Sequence, residues 1–133
     1  MNWTAKELEK MRKRALSAFA ELREQFKAAA GNAETTGEKE YAQFVQDIEN
    51  AQSFYEAGNK PKTLETMNTL KDTFDHRASG LKASVKNGFF DKFSIARYKT
   101  LRKAEKFKDY KGRIKGMLFD IGFSIKQPTA AAL

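Results

Sequence analysis

Apolar residues recur every three or four positions over most of this chain, and this periodicity limits its possible folds more than any other feature. Such spacing places apolar side chains along one side of an α-helix. No segment shows the alternation typical of a half-buried strand, and no repeat period emerges. The sequence therefore predicts an all-α domain of four or five helices. The three clearest stripes are Leu8, Met11, Ala15, Phe19, Leu22 and Phe26; Tyr41, Phe44, Val45, Ile48, Ala51 and Tyr55; and Leu64, Met67, Leu70, Phe74, Ala78, Leu81 and Val85.

The first helix is expected to begin after Thr4 and to end near Ala30. Thr4 and Glu7 have the spacing of a capping box, in which each side chain bonds the other residue's backbone amide. Trp3 and Leu8 occupy the two positions of a hydrophobic staple.

A tight turn is expected between the second and third helices. Gly58 is placed to end the second helix in the left-handed conformation, and Pro61 suits the first turn of the third. A turn this short joins antiparallel neighbours, so we expect a helix 2/helix 3 hairpin at the centre of a compact bundle.

The carboxyl-terminal part changes the phase of its apolar stripe near Asp109. We therefore predict a fourth helix from about Phe89 to Lys108 and a fifth from about Tyr110 to Ile125, with one bent helix as the alternative. Residues 1–126 are expected to form a single helical domain, and residues 127–133 a flexible tail.

Charge is distributed unevenly along the chain. Residues 1–80 hold 12 Lys and Arg against 13 Asp and Glu, whereas residues 81–133 hold 13 against 4, so the net charge of +8 comes from the carboxyl-terminal part. A concentrated positive field attracts polyanions.

Much of that charge is predicted to lie on one side of the fourth helix. At about 100° per residue, five cations fall within one arc, opposite the apolar side. Like charges held together repel one another, and this cost favours a surface that binds an anion. The alternatives are a merely solvated face, an acidic protein partner or an anionic membrane. The five cations are Lys92, Lys99, Arg102, Lys103 and Lys106.

Further residues border this arc. Tyr98 is placed to stack on an unpaired base, and Arg97 lies on the other margin. Arg113 and Lys115 are expected to extend the positive field along the chain. We expect contacts mainly with the phosphate backbone, of DNA or RNA, because no base-reading motif is present.

Phe119 and Phe123 lie off the main apolar stripe and four residues apart. They are expected either to pack into a second core layer or to anchor a protein partner or a second copy of the chain.

The sequence offers little for catalysis or cofactor binding. There is no Cys and only one His, His76, and its Asp72 neighbour makes at most two metal ligands. No glycine-rich phosphate loop or nucleophile motif is present. We expect no enzyme, no metal and no cofactor.

These patterns predict a small non-enzymatic nucleic-acid-binding accessory protein, with a protein-binding adaptor or inhibitor, or a structural bundle subunit, as alternatives. No segment has the apolar length that spans a bilayer, and the amino terminus lacks the apolar run of a signal peptide. We expect a soluble, cytoplasmic protein without membrane partners.

Overall fold

The computed structural model describes residues 3–31, 38–86 and 94–126, which form four α-helices and no strand. Helix α1 spans Ala5–Ala30, α2 spans Glu38–Glu56, α3 spans Lys60–Lys86 and α4 spans Ile95–Ser124. The predicted all-α bundle is thus confirmed, with four helices.

The four helices form an up-down-up-down bundle. Helix α1 packs against α2 and α4, and α3 packs against the same two helices. The α2/α3 hairpin is present, but α3 packs most extensively against α4. The central position of the hairpin in the bundle therefore stays a prediction. Side-chain pairs show that α4 is antiparallel to both its neighbours: Glu21–Arg113 and Arg14–Asp120 with α1, and Asp75–Lys111 and Lys82–Glu105 with α3.

An aromatic cluster occupies the middle of the core. The fully buried Phe74 ring lies 4.7 Å from Phe44, 5.2 Å from Tyr110 and 5.7 Å from Phe26, measured between ring centroids. Phe107 joins the same cluster at 5.9 Å. Each helix therefore contributes a ring to one packing unit, as the apolar stripes predict.

The predicted start of α1 is confirmed. The Glu7 amide donates to the Thr4 hydroxyl at 3.1 Å, and the Thr4 amide donates to the Glu7 carboxylate at 3.3 Å. Two backbone donors at the helix start are thereby satisfied.

The turn between α2 and α3 is also as predicted. Gly58 has a φ of 76°, its amide donates to the Tyr55 carbonyl, and the Asn59 amide donates to the Phe54 carbonyl. This is the hydrogen-bond pattern of a Schellman motif. Asn59 also starts α3, because its side-chain oxygen accepts from the Lys62 amide at 3.2 Å.

The predicted break near Asp109 is wrong, because α4 is one continuous helix. Phe107 and Tyr110, on either side of Asp109, are both buried within this one helix. The spacing of three or four is then kept throughout, so no break is required. The buried residues of α4 are Ala104, Phe107, Tyr110, Ile114, Met117, Ile121 and Ser124.

The predicted start of this helix at Phe89 is wrong as well. Helix α4 begins at Ile95, and Ser94 before it is extended, with its hydroxyl accepting from the Arg97 amide at 3.0 Å. A serine in this position satisfies a free backbone amide of the first helical turn, so α4 starts directly after Ser94. Phe89, Phe93 and the predicted tail at 127–133 lie outside the described residues.

Candidate functional site

Helices α3 and α4 extend beyond the ends of α1 and α2. Glu40, in the first turn of α2, forms an ion pair with Arg77, yet α3 continues to Lys86. Likewise, Phe26 of α1 contacts Tyr110 at 5.0 Å, and α1 ends one turn later. Because a helix rises 1.5 Å per residue, α3 projects by roughly 10 Å beyond the described start of α2, and α4 projects by roughly 16 Å beyond the end of α1.

We call this projecting pair the basic arm and define it as residues 79–86 of α3 and 94–106 of α4. Among these residues only Ala104 is buried. Residues 79–86 and 94–106 hold seven Lys and Arg and one Glu, a balance of +6 in a chain of +8. Most of the net charge is therefore carried by a part of the fold with little apolar packing.

Four residues of α4 spaced seven apart show why charges in the arm are unpaired while those further along α4 are paired: Lys99, Lys106, Arg113 and Asp120. Residues seven apart lie almost on the same side of a helix. Asp120 and Arg113 form ion pairs with Arg14 and Glu21 of α1, which are also seven apart.

The next α1 residue in this series is Ala28, which has no charge, and α1 ends at Ala30. Lys106 and Lys99 are exposed, and no acidic partner is found for either within the described part of the chain. The end of α1 thus separates neutralised charges from free ones.

Arg102 and Lys103 complete this group, and both are exposed and likewise without an ion pair among the described residues. With Lys99 and Lys106 they form neighbouring pairs three and four residues apart, so repulsion among the four cations costs about 1–2 kcal/mol at low salt. We call Lys99, Arg102, Lys103 and Lys106 the cationic face. A bound polyanion would remove this repulsion.

The structure adds cations that the sequence analysis missed. Lys82 and Lys86 lie on the last turns of α3, beside α4, and Lys82 forms a 3.6 Å ion pair with Glu105. Glu105 is the one acidic residue among residues 79–86 and 94–106, and it is the partner in this pair. The signal was present in the sequence as two lysines four apart, but their proximity to α4 depends on the packing of the two helices.

The remaining predicted binding residues are placed differently. Arg113 is held in its ion pair with Glu21, and Lys115 is exposed on the opposite side of α4 from Lys106 at about 100° per residue. Arg97 is half-buried, on the margin of the arm. Lys92 lies outside the described residues.

An ion pair also joins α3 and α4 at the base of the arm. The Lys111 ammonium donates to the Asp75 carboxylate at 2.7 Å, and this hydrogen bond lowers the pKa of Asp75 below its ordinary value. The charge of Lys111 is thereby compensated, unlike those of the cationic face.

Phe119 and Phe123 lie at the opposite end of the bundle. They are 54% and 48% exposed, and Trp3 packs against both rings with centroid distances of 6.2 and 5.5 Å. They form a surface cluster with Trp3 rather than a second core layer. Their role in binding a partner stays a prediction.

The other candidate groups show no such concentration. His76 and Asp72 are both exposed, and in the described ranges no three His, Asp or Glu side chains are grouped as metal ligands. Across residues 3–31, 38–86 and 94–126, no helix has the length and apolarity needed to cross a bilayer.

The cationic face is therefore the most concentrated group of uncompensated charges in the described structure. Comparison with known proteins adds nothing to this geometry, since no family model, curated protein or solved structure matches the chain.

Proposed function

We propose that this chain is a small, non-enzymatic, cytoplasmic accessory protein that binds nucleic acid through the phosphate backbone. The basic arm is the binding element. The observation that carries this proposal is the cationic face itself: four exposed cations in register on one helix, beyond the end of the helix that neutralises the same side further along.

A nucleic acid is the anion that fits this face best. From Lys99 to Lys106 the helix rises roughly 10 Å, so several regularly spaced phosphates are required to meet all four cations. All four cations are exposed, so one polymer can contact them together. A single small anion would compensate only one or two of them.

Binding of this kind is expected to depend strongly on salt. Four phosphate contacts release bound counterions, so a plot of log affinity against log salt is expected to have a slope of about −3 for a single strand and about −4 for a duplex. Fluorescence anisotropy with labelled oligonucleotides of mixed sequence, titrated from about 50 mM salt upward, measures this slope. Absence of binding at the lowest salt concentration would remove the proposal.

The aromatic cluster of Trp3, Phe119 and Phe123 supports a second candidate function, a protein-binding adaptor or inhibitor. Large rings that are about half exposed are unusual on a surface without a partner. If the chain has this function, we expect the double variant Phe119→Ala with Phe123→Ala to keep the wild-type circular dichroism spectrum and thermal midpoint. The same variant is expected to lose self-association in sedimentation velocity, or co-purification with a partner. Unfolding of the double variant would instead assign both rings to bundle stability.

A further inference from the structure

Two large uncharged side chains are exposed among the cations of the basic arm. Ile95 is 73% exposed and Tyr98 is 60% exposed, the two highest values among the large apolar residues of the described chain that are not buried. Tyr98 lies one turn before Arg102, whose guanidinium carbon is 5.8 Å from the centroid of the tyrosine ring. An aromatic ring is thus presented to solvent at the edge of the cationic face.

Phosphate contact alone does not account for this ring. Phosphates are bound by charge and hydrogen bonds, to which the face of a tyrosine ring adds nothing. Base faces, by contrast, stack on aromatic side chains, and such a stack contributes about 1–3 kcal/mol per base. In a duplex the base faces are already stacked on one another, whereas in a single strand they are free.

The position of Arg102 strengthens this interpretation. Its guanidinium is close enough to the Tyr98 ring for a cation–π contact, so the arginine is held beside the ring while its charge remains without an acidic partner among the described residues. A base stacked on Tyr98 would bring its own phosphates next to Arg102 and Lys99. Ring and cations would then contact the same nucleotide.

On the basis of the proposed function, we propose that the basic arm binds single-stranded nucleic acid in preference to duplex. Tyr98 stacks on one unpaired base, and Lys99, Arg102 and Lys106 contact the phosphates around it. The sequence of the strand contributes little, because every base has a face that can stack.

The test compares a labelled single-stranded oligonucleotide with a duplex of the same length and label, by anisotropy at one low salt concentration. Wild-type protein is expected to bind the single strand about tenfold more tightly. Tyr98→Ala is expected to weaken single-strand binding about tenfold with an unchanged salt slope, whereas Tyr98→Phe, which keeps the ring, stays close to wild type. The matched control is Phe123→Ala, which removes an exposed ring from the far end of α4 and is expected to leave binding unchanged.

The outcomes separate this inference from the function on which it rests. Equal affinity for single strand and duplex, or a Tyr98→Ala protein that binds single strands as wild type does, would overturn the preference while leaving phosphate binding in place. Failure of wild-type protein to bind either oligonucleotide would overturn both.

Discussion

Reversing three charges of the cationic face, Lys99→Glu with Arg102→Glu and Lys103→Glu, is expected to weaken nucleic-acid binding by at least about 100-fold at 0.1 M salt. Each lost single-strand phosphate contact removes about 0.7 from the slope of log affinity against log salt. Three lost contacts therefore weaken binding by about two orders of magnitude at about 0.1 M salt, relative to about 1 M, before any new repulsion is counted. The remaining slope is expected to be about −0.7, the value for the one remaining contact. Anisotropy titrations at several salt concentrations measure both quantities.

Folding is not expected to suffer from this change, because the three side chains are exposed and form no ion pair among the described residues. The matched control reverses Lys6, Lys60 and Lys62, which are exposed at the opposite end of the bundle. It alters the net charge by the same amount. Equal losses of binding in the two triple variants would show that overall charge, not the basic arm, governs binding, and would contradict the proposed site.

Phe74→Ala is expected to lower the free energy of unfolding by about 3–5 kcal/mol, the usual cost of deleting a buried phenylalanine. Phe74 is fully buried and contacts rings from all the other helices, so the cavity is bordered by side chains that are already packed together. Such a loss is a large part of the stability of an ordinary domain. Urea denaturation followed by circular dichroism measures it.

Phe74→Leu is the control for this substitution. It keeps an apolar side chain of intermediate volume, so the free energy of unfolding is expected to fall by clearly less than in the alanine variant. A cost below about 1 kcal/mol for Phe74→Ala would be inconsistent with a tightly packed ring cluster at the centre of the bundle.

Local sequence patterns were sufficient to predict most of the helices. The stripe of α1 from Met11 to Phe26 is buried as predicted, because a regular apolar spacing can be removed from water along one helix face only. The caps at Thr4 and Gly58 also depend on residues close in sequence, and both are confirmed. The start of α4 was predicted wrongly, because the apolar residues before Ser94 were assigned to the helix and the serine was not assigned as its cap.

The candidate site was predictable in part. The spacing of Lys99, Arg102, Lys103 and Lys106 places them on one side of a helix whatever the surrounding fold, and the structure has them exposed together. Sequence spacing could not show that Arg113, on the same side, meets Glu21 of α1. It also could not bring Lys82 and Lys86 of α3 next to α4.

Helix positions and charge periodicity thus follow from the sequence, since both depend on residues within a few turns of one another. Which charges remain free depends on where α1 ends relative to α4, and only the packing of the two helices determines that register. Ion pairs between residues about a hundred positions apart, such as Arg14 and Asp120, form or fail to form according to that register. The physical reason is that an electrostatic partner is defined by distance in space, which the order of residues along the chain does not specify.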